Sequence, residues 1–311
     1  MPKEIEIPDL IKLKASELGF LDCGIVSVEI FSEEKNHLHN WLHKGMYGEM
    51  GYMNRNVDLR LNPGLLVENA KSIIVVLQNY YPEEIQNDPN APVLSKYAYG
   101  TDYHFVMKDK LKELLQFIQK EIQPCNGRPF VDSAPVLERA WARKAGLGWV
   151  GKNSSLISVE HGSFFFIGEL ILDIELPESN KSYVRDHCGT CTTCMDACPT
   201  KAIVADKVVA ATKCISYQTI ELKGDLDNSL KGKFENRVFG CDICQDVCPW
   251  NLKSKPHNEP DFKPRPLLLK LSGQEWQNME ESLFNELFRK SAVKRTKFEG
   301  LKRNLEFLKK T

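Results

Sequence analysis

The stretch HCGTCTTCMDACPT at residues 187–200 carries four cysteines in the spacing C-x2-C-x2-C-x3-C-P. The stretch GCDICQDVCPW at residues 240–250 repeats the end of this pattern as C-x2-C-x3-C-P. Cysteine runs of this kind, each closed by a proline, are typical of bacterial ferredoxins, where they bind two [4Fe–4S] clusters. The two stretches therefore predict a ferredoxin-like domain that binds two [4Fe–4S] clusters.

In the ferredoxin pattern, the cysteine before each proline ligates the other cluster. This rule predicts two sets of ligands, namely Cys188, Cys191, Cys194 and Cys248 for one cluster, and Cys198, Cys214, Cys241 and Cys244 for the other. Cys214 departs from the pattern, because 26 residues separate it from Cys241. The alternative is structural zinc, which paired C-x2-C ligands also bind. The two isolated cysteines, Cys23 and Cys125, are predicted to be ordinary thiols.

The rest of the sequence has the composition of an ordinary globular protein. Of its 311 residues, 42% are hydrophobic and 27% charged, and the net charge of −1 gives no overall attraction to nucleic acid or membrane. The most apolar stretch, FFFIGELIL at residues 164–172, is too short to span a bilayer and contains Glu169. The first residues lack the apolar core of a secretory leader. We expect a cytoplasmic monomer with no membrane partner.

Three segments differ in their patterns. Residues 1–177 alternate helical and strand periodicity, residues 178–255 hold the clustered cysteines, and residues 256–311 open with prolines and become helical and basic. In the first segment we predict helices at Pro8–Leu18, Met107–Ile122 and Val136–Ala145, strands at Cys23–Val28, Ser72–Leu77 and Arg128–Asp132, and a hairpin that joins Leu156–Val159 to Ser163–Asp173. This mixture indicates an α/β or α+β domain.

Several longer motifs point to one family. The glycine-rich GLGWVGKN at residues 146–153 lacks the P-loop spacing, and no strand is followed by G-x-G-x-x-G, so no nucleotide site is supported. Together with VDSAPVLER at 131–139, YAYGTDYH at 97–104, GEMGYM at 48–53 and the cysteine runs, this sequence resembles the epoxyqueuosine reductases. The resemblance extends from about residue 8 to Asn251.

The resemblance implies an oxidoreductase that converts epoxyqueuosine to queuosine at the wobble position of tRNA. It implies an α+β fold, with a cobalamin-binding catalytic domain at 1–177 similar to nitroreductases and reductive dehalogenases. A ferredoxin-like domain at 178–255 and a short helical C-terminal segment at 256–311 would follow. Electrons from an unidentified low-potential donor would pass through two [4Fe–4S] clusters to cobalamin. The alternatives are a reductive dehalogenase with the same cofactors, or a ferredoxin-like carrier without catalytic activity.

The same resemblance assigns roles to individual residues. Asp132 would lie beside the cobalt and donate a proton to the departing alkoxide, which requires a raised pKa; a turn or N-cap aspartate is the alternative. The predicted corrin contacts follow the glycine-rich loop, with further candidates elsewhere: Lys152, Asn153, Ser154 and Ser155, then Arg55, Tyr97 and Ile167. The alternative for that loop is a solvated connection after a helix.

The C-terminal segment supplies the candidate RNA contacts, because its basic side chains could bind phosphates. They are Lys294, Arg295, Lys297, Lys302 and Arg303. The alternative is an ordinary charged helix face whose apolar side, with Leu301 and Leu305, packs inward. His39 and His43 have the spacing of a metal pair on a helix, but a solvated helix face is the preferred interpretation.

Overall fold

The structure is a computed structural model that describes residues 5–179 and 183–309. In these residues the strands are β1 Asp22–Ser27, β2 Ser72–Asn79, β3 Val93–Leu94, β4 Gly127–Phe130, β5 Trp149–Val150, β6 Leu156–Ile157, β7 Phe165–Leu172, β8 Ile203–Ala205, β9 Val208–Val209 and β10 Arg237–Phe239. The α-helices are α1 Ile7–Glu17, α2 Ser32–His43, α3 Gly51–Asn54, α4 Val57–Leu61, α5 Tyr103–Phe117, α6 Glu138–Lys144, α7 Thr193–Ala197, α8 Ile215–Ile220, α9 Ile243–Asp246, α10 Pro266–Lys270, α11 Gly273–Gln277, α12 Glu281–Leu287 and α13 Lys297–Leu308.

A four-stranded antiparallel sheet in the order β1-β2-β7-β4 forms the centre of the first segment. Strand β2 lies between β1 and β7, and its register with β7 runs from Ser72 opposite Leu172 to Asn79 opposite Phe165. Because helices cover both faces of the sheet, β2 has no polar face, which explains its continuous apolar run. The predicted strand at this position is confirmed.

Alternate residues of β2 face two different hydrophobic layers. On one face, Ile74 and Val76 pack in a layer with α1 and α5; on the other, Ile73 and Val75 pack in a layer with Trp141 of α6. The predicted helices in these regions and the strand near residue 23 are confirmed, with shifts of a few residues at their ends. The predicted α+β class is also confirmed.

The predicted hairpin around residues 160–162 is confirmed at its turn, but its two strands do not pair as predicted. An antiparallel bridge between Ser158 and Gly162 closes the turn, and beyond it no ladder joins β6 to β7 in the described residues. Strand β6 pairs instead with β5, and β7 pairs with β2 and β4. The physical reason is that β7 is mostly apolar and buried on both faces, so it lies in the middle of the central sheet instead of forming a two-stranded ribbon.

The cysteine segment consists of short elements. Helices α7 and α9 each follow the start of a cysteine run and pack against each other, and β8 pairs with β9. The C-terminal helices share a core with both earlier segments, because Trp276, Phe284 and Leu301 pack with Leu94 and Phe239. None of the helices in the described residues is both long and apolar enough to cross a membrane.

Candidate active site

A pocket of about 340 Å³ lies where β4 ends and β7 begins. Its wall combines the start of β7, the start of α6, the loop before β6 and one residue from the second cysteine run. The lining residues are Tyr80, Tyr103, Asp132, Glu138, Arg139, Ser154, Ser155, Leu156, Ser163, Phe165, Phe166, Ile167 and Gln245. The pocket therefore lies between the central sheet and the cysteine segment.

Asp132 is held in the pocket by partners from two helices. Its Oδ2 accepts a hydrogen bond of 2.6 Å from Tyr103 Oη, and its backbone N–H donates to Glu138 Oε1. Its φ of +47° is unusual for a residue with a side chain, although aspartate tolerates it better than most residues. Residue 137, not Asp132, occupies the N-cap of α6, so the N-cap alternative is wrong.

His104 lies beside this carboxylate in a fixed orientation. Asp102 caps α5 by accepting from the backbone N–H of His104, and its Oδ1 lies 2.7 Å from His104 Nδ1. The other ring nitrogen, Nε2, lies 3.6 Å from Asp132 Oδ2. Asp102 thus orients the imidazole towards Asp132.

Burial and charge keep protons on two neighbours of Asp132. Burial raises the pKa of Tyr103 well above its ordinary value, and the negative charge of Asp132 raises it further. Burial also raises the pKa of Glu138, to about 8, and the charge of Asp132 again adds to the effect. At neutral pH, Tyr103 is therefore a hydrogen-bond donor, and Glu138 retains much of its proton.

The glycine-rich loop is buried between the sheet and the cysteine segment, so the alternative of a solvated connection is wrong. Ser154 and Ser155 line the pocket, and Ser154 Oγ is buried without a hydrogen-bond partner in the described residues. Asn153 donates from Nδ2 to the Cys244 carbonyl at 3.3 Å. Lys152 instead faces the cysteine segment, where its Nζ lies 3.5 Å from Asp206 Oδ2.

The three weaker candidates for corrin contacts lie in different places. Ile167 lines the pocket. Tyr97 lies behind the pocket wall, where its ring packs edge-on against Tyr103 and Phe166. Arg55 is exposed at the end of α3, outside the pocket lining. Their roles, like those of the loop residues, stay predictions.

Sequence reasoning did not single out several residues of the pocket wall. Tyr103 lay inside a quoted motif and Gln245 inside a cysteine run, so a motif signal existed for both, as it did for His104 next to the pocket. Tyr80 and Phe166 gave no such signal, because Tyr80 follows one apolar run and Phe166 lies within another, and sequence alone interprets such runs as core.

Two groups of neighbouring thiols lie in the cysteine segment. Burial raises the pKa of Cys194, and the thiolates of Cys188, Cys248 and Cys191 raise it further. Burial likewise raises the pKa of Cys244, with Cys214 and Cys241 adding to the effect. Cys198 in turn interacts with Cys214. Which cysteines ligate which cluster stays a prediction.

N–H groups from two parts of the chain donate hydrogen bonds to cysteine sulfurs. Trp149 Nε1, in β5, donates to Cys188 Sγ at 3.5 Å, and the backbone N–H of Ala202 donates to Cys198 Sγ at 3.2 Å. The first of these bonds connects the central domain to the cysteine segment. N–H groups directed at sulfur are among the factors that set cluster potentials.

The predicted RNA contacts divide into exposed and engaged side chains. Lys294, Lys297 and Lys302 are exposed, and Arg295 is exposed but lies 2.9 Å from a carboxylate oxygen of Glu221. Arg303 instead donates to the backbone carbonyls of residues 218, 222 and 224. The apolar side of α13 packs inward, as the alternative interpretation required. The use of these residues in RNA binding stays a prediction.

His39 and His43 are both exposed on α2. In residues 5–179 and 183–309, no group of three or more His, Cys, Asp or Glu side chains is arranged to hold a single metal ion. The exposure of both side chains is compatible with the solvated helix face, and that interpretation stays a prediction.

Comparison with known proteins identifies the family. A family model described as a 4Fe-4S double cluster binding domain matches residues 187–251, and one described as epoxyqueuosine reductase QueG, DUF1730, matches residues 60–133. The epoxyqueuosine reductase of Cellulophaga algicola is 56% identical over 301 residues, which cover 97% of each protein. The chain belongs to the epoxyqueuosine reductases. It is therefore an oxidoreductase with a double [4Fe–4S] domain, and the zinc and carrier alternatives are wrong.

Two solved structures extend this result. The chain matches the crystal structure of an epoxyqueuosine reductase with an epoxyqueuosine-modified tRNA-Tyr stem loop, with a TM-score of 0.88 at 28% identity over 96% of this chain and 80% of the other. It matches the catabolic reductive dehalogenase NpRdhA with a TM-score of 0.51 at 16% identity, over 97% of this chain and 38% of the other. This second likeness concerns the fold alone, and it confirms the predicted reductive-dehalogenase-like fold.

Proposed function

We propose that this chain reduces epoxyqueuosine at the wobble position of tRNA to queuosine, with Asp132 as the proton donor. The observation that carries the proposal is the shared pocket, whose wall contains both Asp132 and Gln245, the residue next to Cys244. The family relationship supports the reaction. One related structure is described as having its catalytic aspartate loop swung out of the active site, which supports a role for Asp132.

The pocket residues fit a cobalamin. Leu156, Phe165 and Ile167 form an apolar wall suited to the corrin ring, while the unpartnered Ser154 Oγ and the neighbouring Ser155 would bind its polar side chains. Lys152 and Asn153 would support the loop from the cysteine segment. When they are bound, the two clusters and the cobalamin would deliver the electrons for the reduction, and each cluster would carry one electron at a time.

The donor chemistry of the cysteine segment fits two [4Fe–4S] clusters. Cys188, Cys191, Cys194 and Cys248 would ligate one cluster, and Cys198, Cys214, Cys241 and Cys244 the other. The interactions of Cys194 with the other three of its set, and of Cys214 with Cys198 and Cys244, support this assignment, and the interaction of Cys194 with Cys244 makes the two sets neighbours. These groups support the crossed pattern of ligation, in which Cys198 and Cys248 each ligate the cluster that is bound mainly by the other cysteine run.

Three residues of the chain prepare the proton transfer. Tyr103 holds the Asp132 carboxyl at the pocket by a hydrogen bond, the His104 imidazole lies beside that carboxyl, and the backbone bond to Glu138 holds the loop. From this position, Asp132 would protonate the alkoxide oxygen as the first C–O bond of the epoxide breaks.

The substrate side of the proposal involves the exposed basic residues. Lys294, Lys297 and Lys302 would contact RNA phosphates, and the exposed Arg295 would join them beside its ion pair with Glu221. Arg303 would contribute by holding α13 in place. We further propose that the chain works in the cytoplasm as a monomer with a low-potential electron donor.

The test is reconstitution with iron, sulfide and cobalamin, followed by an assay with an epoxyqueuosine-containing stem loop under a strong reductant. The wild type should produce queuosine, and Asp132→Asn should keep cobalamin and RNA binding but lose about 10²-fold or more in single-turnover rate. The matched control is Asp109→Asn, on the exposed face of α5. An unchanged rate for Asp132→Asn would remove this residue from the role, and no queuosine from the wild type would overturn the function.

A further inference from the structure

Strand β7 carries a carboxyl group in the interior of the central sheet. Glu169 is 0% exposed, and it lies opposite Val75 of β2 and Phe130 of β4. Because side chains alternate along a strand, Glu169 shares a face with Ile167 and Ile171. That face packs against α6. The carboxyl therefore points into an apolar layer beneath the helix that Glu138 begins.

Glu169 has no means of compensating a negative charge within the part of the chain that the structure describes. Neither of its carboxyl oxygens forms a hydrogen bond with any described residue. Burying an ionised carboxylate without partners costs several kcal/mol, so the neutral, protonated form is favoured. Burial raises the pKa of Glu169 well above its ordinary value, and the negative charges of Glu138 and Asp132 raise it further.

Glu138 connects this buried group to the pocket. It lines the pocket, interacts electrostatically with Glu169, and accepts a hydrogen bond at Oε1 from the backbone N–H of Asp132. The charged groups around the pair are Asp132, whose charge raises the pKa of Glu138, and Arg139 and Arg60, which lower it. The three acids therefore form a series from the sheet interior to the pocket: Glu169, Glu138 and Asp132.

We propose that Glu169 and Glu138 form a proton store that supplies Asp132. Converting an epoxide to an alkene breaks both C–O bonds, consumes two electrons and two protons, and releases the oxygen as water. Asp132 can give one proton in each turnover, and the pair supplies the second. The electrons come from the low-potential donor, and the store refills from solvent through the pocket. This role rests on the proposed function.

Infrared spectroscopy of the purified protein tests the store without cofactor or substrate. At about pH 7, the wild type should show a protonated-carboxyl C=O band that shifts in D₂O. Glu169→Gln should remove part of this band, and the control Glu175→Gln, at an exposed position, should retain it. A wild type without the band, or a band unchanged by Glu169→Gln, would overturn the proposal. If Glu169→Gln does not fold, ¹³C-carboxyl labelling of wild-type glutamates measures the same protonation by titration.

The pH dependence of turnover tests what the store does. At alkaline pH, Glu169→Gln should lower the single-turnover rate by about tenfold, with a smaller loss at acidic pH and unchanged stem-loop binding. A profile identical to that of Glu175→Gln would exclude proton supply by Glu169. If the wild type produced no queuosine at all, the proposed function would fail, whereas the infrared bands would still decide whether the carboxyl pair holds its protons.

Discussion

The central sheet and the cysteine segment both bury acidic groups, but they treat them in opposite ways. At α6, burial raises the pKa values of Glu169 and Glu138, and these carboxyls stay neutral because no cation in the described part of the chain compensates them fully. In the cysteine segment, burial raises the pKa of Cys241 to about 12, yet iron requires the thiolate. The comparison teaches that one region uses burial to keep protons, while the other depends on metal to displace them.

Removal of one cysteine ligand to iron should have the largest effect on the difference between the two regions. In Cys214→Ser, one cluster loses a thiolate, so we expect iron to fall from about eight to about four atoms per chain. Turnover should fall by more than about 10²-fold, because the electron route is interrupted. Iron analysis and electron paramagnetic resonance measure the effect. Cys125→Ser, at a half-buried thiol outside the segment, should retain both clusters; full iron content in Cys214→Ser would exclude this ligand.

The buried carboxyl of Glu138 should make the stability of the protein depend on pH. The pKa of Glu138 rises from 4.5 to about 8, so the native state binds more protons than the unfolded chain between these values. The contribution of Glu138 is thus complete below about pH 4.5 and is lost as the pH rises through about 8. Glu138→Gln should flatten this decline by up to about 5 kcal/mol in the free energy of unfolding. Urea unfolding across this range checks it, and equal slopes in both proteins would contradict the neutral carboxyl.

The hydrogen bond between the two regions offers a finer test. Trp149→Phe removes the N–H donor to Cys188 Sγ, so the more negative reduced cluster loses stabilisation. We expect the potential of one cluster to fall by an amount on the order of tens of millivolts, while the other stays unchanged. Redox titration followed by electron paramagnetic resonance measures both. Trp250 packs against the ring of Trp149, so Trp250→Phe changes this ring packing but keeps the hydrogen bond to Cys188 Sγ, and it serves as the control.

The smallest effects should come from the exposed basic residues. Replacing Lys297 and Lys302 together with Gln should reduce the slope of stem-loop binding against salt by about two, with little change in stability. Arg303→Gln should instead lower the melting temperature, because its guanidinium holds three backbone carbonyls. An unchanged salt slope in the double variant would place the RNA surface elsewhere.

Local patterns were enough to predict much of this fold. The run SIIVVL predicted a strand that is buried on both faces, and the cysteine spacing predicted the double-cluster domain. The same reasoning mispaired the strands of the hairpin, since strand pairing depends on which sheet has a free edge, and local sequence does not record that. A two-stranded ribbon and a central strand can begin with the same residues.

The candidate site was less accessible to sequence reasoning. Asp132 stood out through its motif, but its partner Tyr103 lies 29 residues away and Gln245 more than 100. Glu169 counted in the sequence only as a polar interruption of an apolar run, and its proximity to Glu138 follows from packing between β7 and α6. Convergence of distant residues is a property of the tertiary fold, which no local period encodes.

The glycine-rich loop limits how the cysteine segment could be transferred to another protein. It contains no cysteine, yet Trp149 reaches the sulfur of Cys188, and Asn153 binds the carbonyl of Cys244. A cysteine segment grafted onto another enzyme without this loop would lose contacts beside both cysteine runs. Any graft of the cysteine segment should therefore include residues 146–155, which precede that segment in the chain but contact both of its cysteine runs.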